Sequence, residues 1–132
     1  MSDTLVDFTP IKSITDRYDS ADKEMVESAY SVAVVALKDY SRGNGRPFIE
    51  HPVGVATIVA NELGLMPAAV TAVFLHEATR ANAPLLQEVT KKYPKEIIVM
   101  VEGLNNISTI RPKDTGLQAE GYRKLIISYS KD

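Results

Sequence analysis

The chain reads as all-α, a multi-helix bundle. Three observations predict this. Apolar residues recur at three- and four-residue spacing through most of the length. Pro52, Pro67, Pro84 and Pro94 each stand at the head of such a run, where the missing N–H of proline costs nothing. No stretch of useful length alternates apolar and polar residues, as a half-buried strand would.

The elements follow in order. Residues 1–18 have weak periodicity and read as an N-terminal arm or short helix on a body formed by residues 19–132. Asp19-Ser20 is an N-cap signal, with Asp22 and Glu24 in the first turn, where the helix dipole favours acids. Met25, Val26, Ala29, Tyr30, Ala33, Val34 and Leu37 then mark one helical face. The glycines of Ser41-Arg42-Gly43-Asn44-Gly45 end that helix. Pro52 is expected at the first position of the next, which puts His51 at or near its N-cap. That helix carries Val55, Ile58 and Val59 and stops at Gly64. Pro67 opens a helix from Ala68 to about Ala81 that is apolar nearly all round, the mark of a central element. Pro84 starts a short helix to Tyr93, and Pro94 starts another that buries Ile97, Ile98, Val101 and Leu104. Arg111 to Gly116 reads as a polar loop, and Leu117 to Ser130 as a last helix. The ending at Lys131-Asp132 has no capping glycine, so the domain is expected to be incomplete at its C-terminal end.

Composition narrows the function. A length of 132 residues with 45% hydrophobic content suits one domain, or part of one, with a real core. The net charge of −2 and the lack of a basic stripe argue against nucleic-acid binding. Lys91-Lys92 and Arg123-Lys124 read as solvated helix surface. Without cysteine there are no disulfides or thiolate ligands, which fits a reducing, cytoplasmic setting. The N-terminus lacks the basic and apolar regions of a signal peptide, and no run is long enough to span a bilayer.

The chain has two histidines, and both sit in suggestive places. His51 opens a helix, and His76 lies in the apolar helix beside Glu77. Packed helices could bring these two imidazoles and the carboxylate together, the atom types that a divalent metal takes. A histidine in an apolar helix also serves as a packed residue with its N–H satisfied, so the pattern alone leaves both roles open. Arg42 to Arg46 offers glycine backbone and two guanidiniums, suited to phosphate or a stacked purine. An ordinary Gly-Asn turn with exposed arginines has the same composition.

Four ordered blocks resemble one family. Tyr40-Ser41-Arg42-Gly43-Asn44-Gly45-Arg46-Pro47-Phe48-Ile49-Glu50-His51-Pro52 is similar to the R-x-S-G-x-P-Y/F-I-x-H-P segment of RelA/SpoT homologues. Ala68 to Glu77 resembles their A-A-L-L-H-D helix, and Val101 to Ile107 their V-D-G-V-T-K-L segment. Gln118 to Leu125 is close to their Q-A-E-N-F-R-K-M. The resemblance implies the N-terminal HD-type domain of enzymes that make and degrade (p)ppGpp in the stringent response. In that family the domain is a helical bundle that uses Mn²⁺ to remove the 3′-pyrophosphate.

Carried over residue by residue, His51 and His76 match metal-ligand histidines, and Glu77 stands where the family has Asp. Arg42 matches the arginine that packs on guanine, with Asn44 beside it as a further candidate for nucleotide contact. The family's acidic pair, which serves the catalytic water, is replaced by Arg80 and Ala81. Its last metal ligand, an Asp in a later L-A-D-R-L-H-N segment, has no counterpart up to Asp132. The resemblance therefore implies a hydrolase-like domain with a degenerate metal site. It is expected to bind Mn²⁺ weakly or not at all and to be inactive in isolation. Its role would be structural or regulatory, toward a downstream synthetase domain. An active hydrolase in the intact parent and a non-catalytic guanine-nucleotide module remain the alternatives.

Overall fold

In the computed structural model of the chain, the described residues are 6–41, 45–62, 66–107, 120–121 and 124. Asp7 starts the first of them off. Its carboxylate accepts from Thr9 N–H and from the Thr9 hydroxyl, at 3.0 and 2.6 Å. A 3₁₀ turn, Thr9–Ile11, follows and runs into the short helix α1, Lys12–Thr15. Ile11 and Ile14 point into the core, so this segment packs rather than trails.

Helix α2 spans Ser20–Leu37. Asp19 caps it, its side chain accepting from Asp22 N–H at 2.9 Å. Losing a cap of this kind costs about 1 kcal/mol. Asp19→Ala is therefore expected to lower stability by that amount in urea titrations, and Asp19→Asn to restore most of it. Val26, Ala29, Tyr30, Ala33 and Leu37 are the buried positions, the i, i+3, i+4 set of one helical face.

Helix α3 spans Glu50–Glu62 and begins earlier than the sequence suggests. Pro52 is its third residue rather than its first, and His51, expected at or near the N-cap, is the second residue of the helix. A tight lead-in explains the shift. Glu50 N–H donates to Pro47 O at 3.2 Å and His51 N–H to Phe48 O at 2.9 Å, so the chain is already coiling before the proline. The first-turn N–H groups of any helix have no intrahelical acceptor, so proline is tolerated there too.

Helix α4, Pro67–Ala81, is the centre of the fold. Every residue from Ala69 to Thr79 is buried. It packs against α2, α3 and α6, which explains its apolar character on all sides. Helix α5, Leu85–Lys92, is short and amphipathic, with Val89 inward and Lys91 and Lys92 in its last turn. Tyr93 just beyond it shares a 2.6 Å hydroxyl hydrogen bond with Ser28 of α2. Helix α6, Lys95–Ile107, buries Ile97, Ile98, Met100, Val101 and Leu104.

The architecture is all-α. Among the described residues the extended chain is limited to an isolated antiparallel bridge between Ser41 and Pro47. No helix among them is long and apolar enough to cross a membrane. The expected stop at Gly64 and the loop Arg111 to Gly116 lie outside the described residues, as does most of the last helix. Glu120, Gly121 and Lys124 from that last segment are helical.

Candidate functional site

The packing of α3 on α4 sets the site. His51 comes from the first turn of α3, and His76 and Glu77 from the C-terminal half of α4. Because α4 is covered on all sides, His76 has no accessible surface and Glu77 almost none. Glu77 Oε2 lies 3.7 Å from His76 Nε2 and 4.0 Å from His51 Nε2. The structure thus brings together the three residues that the sequence singles out.

The donor chemistry fits a divalent ion: two imidazole nitrogens and one carboxylate oxygen, as in sites that keep a position open. Spacing is looser than a filled site requires. Two donors at about 2.1 Å from one tetrahedral ion are roughly 3.4 Å apart. Among the described residues no group of three or more histidine, cysteine or acidic side chains is placed as it stands to hold a metal ion. Both imidazole nitrogens would have to draw closer to Glu77 Oε2 than 3.7 and 4.0 Å.

The far side of the His76 ring faces α6, where Nδ1 lies 2.7 Å from Asn105 Oδ1. Burial pushes the imidazole down from 6.5 to about 4; the bond to Asn105 opposes this, and the charges of Arg80 and His51 add to it. His76 is therefore neutral near pH 7, the state a metal ligand needs. The same burial makes the metal-free protein acid-sensitive. A histidine with a depressed folded pKa contributes fully above its unfolded value of 6.5, and stability drains away as pH falls toward 4. Across that interval, at about 1.4 kcal/mol per pH unit, the loss is roughly 3 kcal/mol. Denaturant titrations from pH 7 to pH 4 should record it, and His76→Gln should flatten it. An unchanged slope in that variant would show that other groups carry the acid response.

A pocket of about 160 Å³ opens beside the site, lined by Leu37, Tyr40, Phe48, Glu77, Arg80 and Ala81. Phe48 also tilts against His51, with ring centroids 5.4 Å apart. The Tyr40 hydroxyl donates to Ala81 O at 3.3 Å. Arg80 is exposed at the rim, and Glu77 is the one carboxylate among the described lining residues.

Arg42 and Asn44 lie outside the described residues, but the neck of their loop is clear. Phe48 N–H donates to Tyr40 O at 3.1 Å, beside the Ser41–Pro47 bridge. Gly45 has φ +84°, a conformation that favours glycine. Arg46 grips Glu50 through two bonds of 2.6 and 2.7 Å, an i, i+4 pair at the entry to α3. The loop is thereby rooted with Tyr40 and Phe48 on the pocket wall.

Sequence reasoning missed Asn105. A signal existed, since Asn105 stands four residues after buried Val101 and so borders the buried stripe of α6. A polar residue there needs a partner, but only the fold could supply its identity.

Residues 29–132 match the family described as HD domain. A guanosine-3′,5′-bis(diphosphate) 3′-pyrophosphohydrolase of Aquifex aeolicus is 32% identical over 83% of this chain and 15% of its own length. The bifunctional (p)ppGpp synthase/hydrolase SpoT of Escherichia coli is 32% identical over 81% of this chain and 15% of its own. A GTP pyrophosphokinase of Streptomyces coelicolor is 31% identical over 81% of the chain and 12% of its own. The chain therefore spans less than one sixth of the length of these curated relatives.

Proposed function

The chain belongs to the HD-domain family, in its RelA/SpoT type, and from that premise we propose that it serves (p)ppGpp metabolism as a hydrolase-type domain without appreciable hydrolytic activity. Its role is regulatory or structural, toward a synthetase domain of the same protein. Relatives named for synthesis and relatives named for hydrolysis both align with this region, so alignment alone does not assign turnover. One observation carries the reading: Arg80 and Ala81, which by the resemblance stand in for the family's acidic pair, line the pocket beside Glu77.

His51, His76 and Glu77 would hold a divalent ion, Mn²⁺ by the resemblance. When bound, such an ion lowers the pKa of its water and polarises a phosphoryl oxygen. The chain's own groups do the rest. Tyr40 and Phe48 supply an aromatic wall beside the Arg42 loop, suited to a purine. Arg80 adds positive charge at the rim, which favours holding a phosphorylated ligand. Glu77 is the one carboxylate among the described residues that line the pocket, so these residues offer no second carboxylate as general base for an attacking water. Glu77 is one methylene longer than the family's Asp, which disfavours tight metal binding.

The convergence of the three donors favours a second reading, an active hydrolase in the full-length protein. One assay separates the two. Full-length protein with Mn²⁺ and ppGpp should release no pyrophosphate above background. Metal-dependent release that disappears in His51→Ala establishes the second reading instead.

A further inference from the structure

We infer that Asn105 is a positioning residue: through its side-chain amide it holds His76 in the Nδ1–H tautomer and keeps the Nε2 lone pair aimed at the space shared with His51 and Glu77. The consequence for metal binding rests on the reading above that these three residues hold a divalent ion. The tautomer assignment does not.

The argument begins with a hydrogen-bond chain between α4 and α6. The Thr79 hydroxyl donates to His76 O at 3.1 Å, one turn back along α4. With its proton committed there, the Thr79 oxygen offers lone pairs, and Asn105 Nδ2 approaches it at 3.5 Å. That contact is long, at the outer limit of a hydrogen bond, and the structure sets the amide nitrogen toward Thr79. Asn105 Oδ1 therefore faces His76 Nδ1 at 2.7 Å. A carbonyl oxygen only accepts, so the short contact requires the proton on Nδ1.

A neutral imidazole has one proton, so Nε2 is left with a lone pair. That atom lies 3.7 Å from Glu77 Oε2, on the side where His51 Nε2 also approaches. A buried ring held on one nitrogen can neither flip nor turn without losing its partner. Partners of this kind, bonded to the far nitrogen of a ligand histidine, typically set metal affinity by about 10–100-fold. Asn105 comes from α6 and the ligands from α3 and α4, so all three helices must dock for His76 to present the correct nitrogen.

The test starts with the metal-free wild-type protein, labelled with ¹⁵N-histidine and observed by long-range ¹H–¹⁵N correlation near pH 7. For His76 the expected signature is a protonated Nδ1 and a bare Nε2. The opposite pattern overturns the inference without any mutation. Asn105→Asp keeps an acceptor and should keep the signature. Asn105→Leu removes it and should shift His76 toward the Nε2–H form; an unchanged signature in a folded Leu variant also overturns the inference. Mn²⁺ titration followed by electron paramagnetic resonance then gives the second arm. Binding should weaken by about 10–100-fold in Asn105→Leu and persist in Asn105→Asp. If the wild-type signature is as expected but Mn²⁺ does not bind, the tautomer assignment stands and the metal reading falls.

Discussion

Returning an acidic pair to the pocket, as Arg80→Glu with Ala81→Asp and Glu77→Asp, is expected to raise Mn²⁺-dependent ppGpp hydrolysis by the full-length protein about 10²–10⁴-fold over its background. The range is the usual worth of a positioned general base. Both replaced residues line the pocket beside Glu77, within reach of a ligand seated against Tyr40 and Phe48. Arg80 is exposed, so a carboxylate there costs little in stability. Ala81 is half-buried at the helix end, where Asp is tolerable. The Glu77 change shortens the side chain so that its oxygen can sit where the family's Asp does. Release of labelled pyrophosphate from ppGpp is the measurement. Should the triple variant remain at background while binding Mn²⁺ and ppGpp normally, the acidic pair is not what this domain lacks.

The second large effect concerns stability. Phe74→Ala is expected to cost about 3–5 kcal/mol, the usual toll for emptying a buried aromatic site. Phe74 is fully buried in the middle of α4. Its ring meets Tyr30 of α2 edge-on, with centroids 5.3 Å apart at 76°, and Tyr30 in turn meets Phe8 at 6.1 Å. Losing the inner end of this aromatic series removes the ring against which Tyr30 of α2 packs, and so loosens α2 against α4. A domain of this size is typically stable by about 5–15 kcal/mol, so the variant should be marginal. Urea denaturation followed by circular dichroism gives the number. A loss below about 1 kcal/mol would falsify the view of α4 as the keystone of the bundle. Phe74→Leu, which keeps most of the volume, should cost much less.

The central position of α4 was legible because its sequence shows no polar face. A helix with that pattern has nowhere to go but inside. The cap at Asp19 and the prolines that open helices were legible for an equally local reason, since backbone donors at a helix start must be satisfied or absent. Local rules were less exact at α3. The tight turn before it coils the chain ahead of Pro52 and moves His51 into the first turn, a detail set by Phe48 and Pro47 rather than by the proline itself.

For the site, the sequence by itself determined two histidines on consecutive helices with Glu77 beside one of them, and the family resemblance added that Glu77 stands for Asp and Arg80-Ala81 for an acidic pair. It also determined that His76 had to be buried, because its helix is apolar on every side. Only the tertiary structure decided that both Nε2 atoms face one carboxylate oxygen, at 3.7 and 4.0 Å. It alone supplied Asn105 as the partner of His76, across 29 residues of chain. The physical reason is the range of the forces. Capping, periodicity and proline geometry act over a turn or two and leave their mark in neighbouring letters. The orientation of a buried imidazole depends on which hydrogen-bonding group a distant helix carries to it, and that is settled only when the helices pack.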